Sequence, residues 1–273
     1  MSSTLTILNN QNLDAKLHKY TNVSKEKIVM SPGFWITWCN LPEQGRDEYL
    51  AWLHGTYIPK VLARPGVLSA AHYESEAKAP MPRAGRLKAS ADPTAPSGDR
   101  YILIVGGKSA HVFVDPTPAE FHATLSDQDR KMLAMRIGES SNIMMIQGQV
   151  YGPEGKNRVN DMDFSPAIQI GSFNAGSYQD EDELAAWYAQ WRLPRSMGTL
   201  PGCIQVRKLV SISGWAKHAC FYEFTSLAAR NEKFVDHENF DPAMAEWTDR
   251  VVRKLVHAPG LPNVARRIWP PVK

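Results

Sequence analysis

A histidine and a tyrosine alternate along one predicted strand in the second half of the chain. In the run from His218 to Tyr222, His218, Cys220 and Tyr222 share one face, because successive side chains of a strand point to opposite sides. A histidine can move a proton, and a tyrosine hydroxyl can donate a hydrogen bond to an enolate or phenolate, which is chemistry that needs no cofactor. The alternative is that both side chains only pack in a half-buried layer. We predict that His218 and Tyr222 are catalytic.

A polar pair occupies one face of the preceding predicted strand. Gln205 and Arg207 share this face, whereas Ile204 and Val206 share the other. If the polar face lies inside the protein, a carboxylate or a substrate anion must lie near the guanidinium, because burying an unpaired charge costs several kcal/mol. An exposed strand end is the alternative for Arg207. We predict that Gln205 and Arg207 bind substrate.

The first half of the chain contributes further candidates. His54 and Tyr57 are three residues apart, so they share a helix face. We predict that both are catalytic, and an exposed or core position is the alternative for His54. His72 and Tyr73 end a predicted strand and point to opposite faces. The other side chains on the strand face of His72 are apolar, so we assign this face to the helices. Tyr73 then lies on the opposite face, where we predict that it binds substrate and could also stabilise an oxyanion.

Trp38 and Arg192 complete the predicted substrate-binding set. A tryptophan supplies broad apolar surface that suits an aromatic ligand, although tryptophans also serve in cores and interfaces. Arg192, like Arg207, could hold an anionic group of the ligand.

The composition excludes several other classes of function. The 31 Lys and Arg residues exceed the 28 Asp and Glu residues by only +3, too little for binding driven by nucleic-acid phosphates. The sequence has no apolar run of about 18 residues, and its start lacks a basic segment followed by an apolar one. We therefore expect a cytoplasmic protein that has no nucleic acid and no membrane as a partner.

The sequence also lacks the common metal and cofactor motifs. Its three cysteines are too scattered for a disulfide framework or a zinc site. The run from Val105 to Ser109 resembles the end of a phosphate loop, but Ile102 stands where the motif requires its first glycine. A haem would need only a single histidine, and no motif selects one. We expect neither a metal nor another cofactor.

One pattern occurs twice along the chain. The run from Trp52 to Pro59, followed by Pro65-Gly66, corresponds to the run from Trp187 to Pro194, followed by Pro201-Gly202. Each copy predicts a helix that ends at Pro-Gly, with apolar strands before and after it. Each half therefore predicts a β-α-β-β-α-β unit of the ferredoxin-like kind. Because two helices cover one face of each sheet, the other faces must meet each other.

These patterns divide the chain into four predicted segments. They are an N-terminal arm over residues 1–31, a first repeat over 32–152, a linker over 153–165 and a second repeat over 166–273. Within the first repeat, residues 76–99 contain four prolines and predict a long surface loop. Loops of this length tend to be mobile or functional.

The sequence resembles the dimeric α/β-barrel superfamily, and within it proteins with tandem EthD-like domains. The resemblance rests on the duplicated helix ends, on the strand ending in His72-Tyr73 and on the second copy through Leu209. It implies an α+β fold in which two fused ferredoxin-like repeats form a barrel, with a pocket inside the barrel or between a sheet and its helices. Relatives often carry His-x-Pro late in the first helix, where this chain has Tyr57-Ile58-Pro59 and Arg192-Leu193-Pro194.

The resemblance also implies a function. We expect a cofactor-independent lyase or isomerase, such as a cyclase, dehydratase or decarboxylase-like enzyme, acting on a small hydrophobic, aromatic and acidic molecule. One alternative is a cofactor-free oxygenase of the same superfamily. Another is a non-catalytic small-molecule carrier or interaction domain. Because members of this superfamily often pair, a homodimer is also expected.

Overall fold

The computed structural model describes residues 31–76, 87–237 and 241–272. Apart from Ser31, the predicted N-terminal arm lies outside the described residues, as do residues 77–86 of the predicted loop. Among the described helices, none combines the length and the apolar character needed to cross a membrane.

The described part of the first half supplies five strands and helices that cover one side of its sheet. The strands are β1 (Gly33–Asn40), β2 (Val67–Ser75), β3 (Lys88–Ala89), β4 (Tyr101–Gly107) and β5 (Ile137–Tyr151). The helices are α1 (Arg46–Trp52), a π-helical segment (Leu53–Tyr57), α2 (Ile58–Leu62), a short 3-10 helix (Ala110–Phe113), α3 (Pro118–Ala123) and α4 (Asp127–Leu133).

The second half follows a similar order, but its two-residue strand comes after the last helix of the half. Its strands are β6 (Ala167–Asn174), β7 (Cys203–Ser213), β8 (His218–Phe224), β9 (Val256–His257) and β10 (Asn263–Trp269). Its helices are α5 (Tyr178–Trp187), a second π-helical segment (Tyr188–Ser196), α6 (Leu227–His237) and α7 (Pro242–Val252), with 3-10 helices at Pro153–Gly155 and Met197–Thr199.

The start of α5 shows how local sequence fixes a helix end. The Ser177 hydroxyl accepts a hydrogen bond from the backbone N–H of Asp180, and the Asp180 carboxylate accepts one from the Ser177 backbone at 2.9 Å. This reciprocal capping satisfies two N–H groups that the helix cannot pair internally. The acidic run from Asp180 to Glu183 is therefore a helix N-terminus.

Eight strands form a closed antiparallel barrel in the order β10-β2-β4-β1-β5-β7-β8-β6, and β6 pairs with β10 to close it. The pairs β5–β7 and β2–β10 join the two halves. Within each half, the strands lie in the order fourth, first, third, second. The predicted α+β class and the predicted barrel are confirmed.

Three apolar layers organise the molecule. The barrel interior is filled by buried side chains from the strands of both halves, among them Phe34, Trp38, Ile104, Ile168 and Phe221. The helices of each half pack on the outer face of their own strands and form two further cores. The barrel interior is thus a packed core.

A buried ionic cluster interrupts the barrel core on the inner faces of β7 and β8. The Arg207 guanidinium is fully buried and donates to Glu223, which also accepts from Arg158 at 3.2 Å and from the Ser165 backbone N–H and hydroxyl at 3.0 Å. Glu223 is the carboxylate that burial of Arg207 requires. The exposed strand end considered for Arg207 is wrong.

Replacing Glu223 by Gln should destabilise the fold by about 3–5 kcal/mol, because two buried guanidinium groups would lose their shared counter-charge. The free energy of unfolding in urea measures this. Asp127→Asn, in an exposed pair with Arg130, is the matched control and should cost at most about 1 kcal/mol. Equal losses in the two variants would contradict the stabilising role of the buried cluster.

Candidate functional site

A cavity of about 80 Å³ lies outside the barrel, between the sheet of the second half and its helices. Five aromatic side chains contribute to its walls, beside several aliphatic ones: Phe173, Trp187, Tyr188, Tyr222 and Phe234. The volume accommodates several water molecules, or one small organic molecule. Aromatic walls with a few polar groups are typical of small-molecule sites.

Two positions that line the cavity carry smaller side chains than the equivalent positions of the first half. β1 and β6 pair with β4 and β8 over equivalent registers, so that Trp35 corresponds to Gln169 and Leu103 to Cys220. In the first half, Trp35 packs against the rings of Phe113 and His122 at centroid distances of 6.2 and 5.7 Å. Gln169 and Cys220 line the cavity.

Arg192 and Tyr222 meet at one side of the cavity. The Arg192 guanidinium donates to the Tyr222 hydroxyl through Nε at 3.4 Å and through Nη2 at 3.2 Å. The guanidinium carbon also lies 5.5 Å from the ring centroids of Trp187 and Phe234. Arg192 is 5% exposed, so its charge acts in a largely water-free setting. These two predicted residues can hold an oxyanion together.

A widened helical turn presents Arg192 to the cavity. Arg192 lies in the π-helical segment that contains Pro194, and a proline inside a helix removes one N–H donor and clashes with the preceding turn. The first copy widens in the same place, just before Pro59, and positions Tyr57 there. Single π-helical turns occur frequently at functional sites.

His257 is a cavity-lining residue that the sequence did not single out. Its side chain hydrogen-bonds the backbone of Lys88, and no donor or acceptor in the described part of the chain contacts its Nδ1. Burial lowers its pKa to about 4, so the ring is neutral at pH 7. With Nε2–H donated to the Lys88 carbonyl, Nδ1 is left as a proton acceptor.

The predicted loop of the first half reaches this site. β3 pairs with β9 in parallel, with Ala89 opposite His257, and Leu87 lines the cavity. The Ser90 backbone N–H donates to the His257 carbonyl at 2.8 Å. The cavity therefore depends on both halves of the chain.

The candidates in the first half lie apart from this cavity. The Tyr57 hydroxyl is 2.7 Å from Nε2 of His122, and burial raises the pKa of Tyr57 to about 12. Nε2 of His54 is 2.9 Å from Nδ1 of His72. His54 and Tyr57 therefore have different partners, and neither lines the cavity.

The remaining predicted residues occupy two other places. Tyr73, Trp38, Gln205 and Arg207 lie on the inner side of the barrel, and the Tyr73 hydroxyl donates to the Ser165 carbonyl at 2.9 Å. His72 faces the helices and Tyr73 the barrel, as strand alternation predicts. His218 lies on the strand of Tyr222 but bonds Lys208 and Glu181. Of the predicted residues, Arg192 and Tyr222 are those that line the cavity.

Across residues 31–76, 87–237 and 241–272, no group of three or more His, Cys, Asp or Glu side chains is arranged to hold a metal ion. The polar groups of the residues that line the cavity are instead a guanidinium, two phenols, an indole N–H, a thiol, an amide and an imidazole. Such a set can accept the proton of an organic acid and bind the anion that results.

Comparison with known proteins establishes the fold. No family model and no curated protein matches the sequence. An anthrone oxidase-like protein matches 87% of this chain and 91% of its own length at a TM-score of 0.59 and 10% identity. A candidate monooxygenase from Fusobacterium nucleatum matches 88% of this chain and 93% of its own at a TM-score of 0.51 and 10% identity. These structures share the α+β barrel.

The comparisons also correct the expected function. The similar structures are named for oxidative enzymes, and the prediction of a lyase or isomerase was wrong. Lyases, isomerases and oxidative enzymes can all use a proton acceptor and a group that stabilises an oxyanion. The residue types alone therefore did not distinguish these reaction classes.

Filling the cavity should abolish binding without unfolding the protein. Cys220→Leu gives the second half the side chain found at Leu103, and the open space should limit the loss of stability to about 1 kcal/mol. Cys203→Leu is the matched control, since Cys203 is fully buried in the same core and does not line the cavity. It should cost about 1–3 kcal/mol by overpacking. Unfolding in urea measures the loss of stability, and a titration with 4-nitrophenol measures the loss of binding.

The neutral state of His257 makes stability depend on pH. Because its folded pKa is about 4, below the ordinary value of about 6.5, the unfolded chain binds more protons between these two values. Its contribution is complete above pH 6.5 and is lost as the pH falls toward 4. His257→Asn should reduce the slope of unfolding free energy against pH in this window, by up to about 1.4 kcal/mol per pH unit.

Proposed function

We propose that this protein is a cofactor-free oxygenase that oxidises a small hydroxylated aromatic compound in the cavity of the second half. The observation that carries the proposal is the placement of Arg192, Tyr222 and His257 around one aromatic cavity. The names of the similar structures, an anthrone oxidase-like protein and a candidate monooxygenase, support the oxidative chemistry.

The first step is removal of a proton from the substrate. Nδ1 of His257 accepts the proton of a phenolic hydroxyl, and the phenolate oxygen accepts hydrogen bonds from the Arg192 guanidinium and the Tyr222 hydroxyl. A fixed positive charge in a water-poor cavity stabilises the phenolate, which lowers the pKa of the bound phenol toward that of the base. The His257 imidazole can therefore accept the proton of the bound phenol although its own pKa is low.

The second step transfers electrons to dioxygen, which is the co-substrate. A phenolate is electron-rich at the ring carbon opposite its oxygen, and a bond from this carbon to O₂ reduces O₂ to a peroxide. The proton held by His257 passes to the outer peroxide oxygen. Loss of water then leaves a second carbonyl, so that one phenol and one O₂ give one quinone and one water.

The aromatic walls suit such a substrate. Stacked or edge-on rings bind a flat aromatic molecule, and a dry cavity protects its anion from protonation by bulk water. Six residues predicted from the sequence take no part in this reaction and belong to the packed parts of the first half and of the barrel interior: His54, Tyr57, Tyr73, Trp38, Gln205 and Arg207.

Two structural inferences accompany this function. We infer that the halves are tandem ferredoxin-like repeats related to EthD-like domains, with bounds at 32–152 and 166–273 around a linker. The shared strand order and the paired π-helical turns support this. A homodimer and a cytoplasmic location remain predictions.

Oxygen uptake tests the proposed reaction. The chelator-treated protein should consume O₂ with members of a panel of phenols, naphthols and anthrones, one O₂ per quinone formed. His257→Asn should lower the rate about 100-fold or more while retaining binding, because it removes the proton acceptor. Tyr222→Phe should lower it less, and His111→Asn should not change it.

Two results would contradict the proposal. Tight binding of a phenol without oxygen uptake would identify a carrier. Full activity in His257→Asn would show that proton removal occurs elsewhere.

A further inference from the structure

Lys208 lies directly behind the aromatic wall of the cavity. Its ammonium nitrogen is 5.5 Å from the ring centroid of Phe173 and 5.2 Å from that of Tyr188, and both rings line the cavity. Lys208 is 2% exposed. A charge at this position therefore acts on the cavity through two polarisable rings, with little screening by water.

A chain of hydrogen bonds connects Lys208 to the protein surface. Nζ of Lys208 is 2.7 Å from Nδ1 of His218, and Nε2 of His218 is 2.8 Å from the Glu181 carboxylate. Nζ also donates to the Leu209 carbonyl at 3.0 Å. Glu181 is partly exposed and pairs with Lys217 at 2.9 Å. One placement of the protons satisfies both contacts of His218. In it, the Lys208 ammonium donates to Nδ1 of His218, and Nε2–H of His218 donates to Glu181.

The charged groups around Lys208 come from two packed elements. Glu181 on α5 favours the ammonium form, Cys220 on β8 acts in the same direction, and Lys217 before β8 opposes it. Burial outweighs them and lowers the pKa of Lys208 to about 7. The pKa of His218 falls to about 4, through burial and the charge of Lys208, so His218 stays neutral.

We propose that Lys208, His218 and Glu181 form a proton relay that controls the charge behind the cavity wall and makes the cavity prefer the anionic form of a phenol. In the relay, the Lys208 ammonium passes a proton to Nδ1 of His218 while the Nε2 proton of His218 moves to Glu181 and on to solvent. The products are a neutral amine and a neutral imidazole with the opposite tautomer. The choice of a phenol as ligand rests on the proposed function, whereas the relay itself does not.

Lys208 and its partners are thus positioning residues, because they act on the ligand through the rings of Phe173 and Tyr188. The ammonium form adds to the positive charge of Arg192 and stabilises a bound phenolate. Loss of the proton through the relay weakens that preference. His218, first expected to act on substrate, acts here through Lys208.

Nuclear magnetic resonance of ¹³C-labelled lysine tests the relay without any ligand. The Lys208 signal, identified by its loss in Lys208→Met, should titrate near neutral pH. Glu181→Gln should move its midpoint to lower pH by about one unit, because the ammonium loses its anionic partner through His218. Glu48→Gln, at an exposed position of α1, is the control and should leave the midpoint in place. An unchanged midpoint in Glu181→Gln would overturn the relay.

Two probes of matched shape test the effect on the cavity. 4-Nitrophenol changes its absorption on ionising, and nitrobenzene cannot ionise. Bound 4-nitrophenol should ionise at lower pH than in free solution. Lys208→Met should raise the pKa of the bound probe and weaken binding of its anion about ten-fold, with nitrobenzene binding unchanged. Lys131→Met, at an exposed lysine, should match the wild type.

The outcomes separate the two proposals. Equal loss of both probes in Lys208→Met, or no effect on either, would overturn the anion preference. If neither probe binds the wild-type protein, the anion preference fails and the lysine titration alone decides the relay, whereas oxygen uptake with the phenol panel still decides the proposed function.

Discussion

Closing eight strands into one barrel determines where this protein has room for a ligand. A barrel of this size has an interior just wide enough for its own side chains to fill. Large side chains such as Trp38 and Phe221 do fill it, and the buried Arg207 guanidinium inside is paired with Glu223. Space for a second molecule therefore arises in an outer layer, where helices cover the strands and the packing differs between the halves.

The two halves use one set of elements for two purposes. Trp35 and Leu103 fill the outer layer of the first half, whereas Gln169 and Cys220 leave the corresponding region of the second half open. The two halves also differ in the buried basic residue on the second strand of each, which is His72 in the first half and Lys208 in the second. His72 pairs opposite Leu103 and Lys208 opposite Cys220, so each occupies an equivalent register position with different chemistry. One half thus fills its outer layer with side chains, while the other leaves room for a ligand.

The sequence predicted the features that follow from repetition and periodicity. The duplicated helix ends, the α+β class and the opposite faces of His72 and Tyr73 follow from local rules, and burial of Arg207 demanded the carboxylate that Glu223 supplies. His257 lies on a strand of two residues, too short for any periodicity, and the partner of Lys208 is ten positions away across a strand pair. The reaction class was predicted wrongly because proton-transfer groups look alike in lyases and in oxidative enzymes.

The pairing of β3 with β9 has an evolutionary consequence. Leu87 and the Lys88 backbone, which complete the cavity, are encoded in the opposite half of the gene from the other residues that line it. A single excised copy of residues 166–272 would lack Leu87 and the backbone group of Lys88 that orients His257. If the halves arose from one repeat, as inferred above, the pairing of β3 with β9 made the cavity of the second copy dependent on the first.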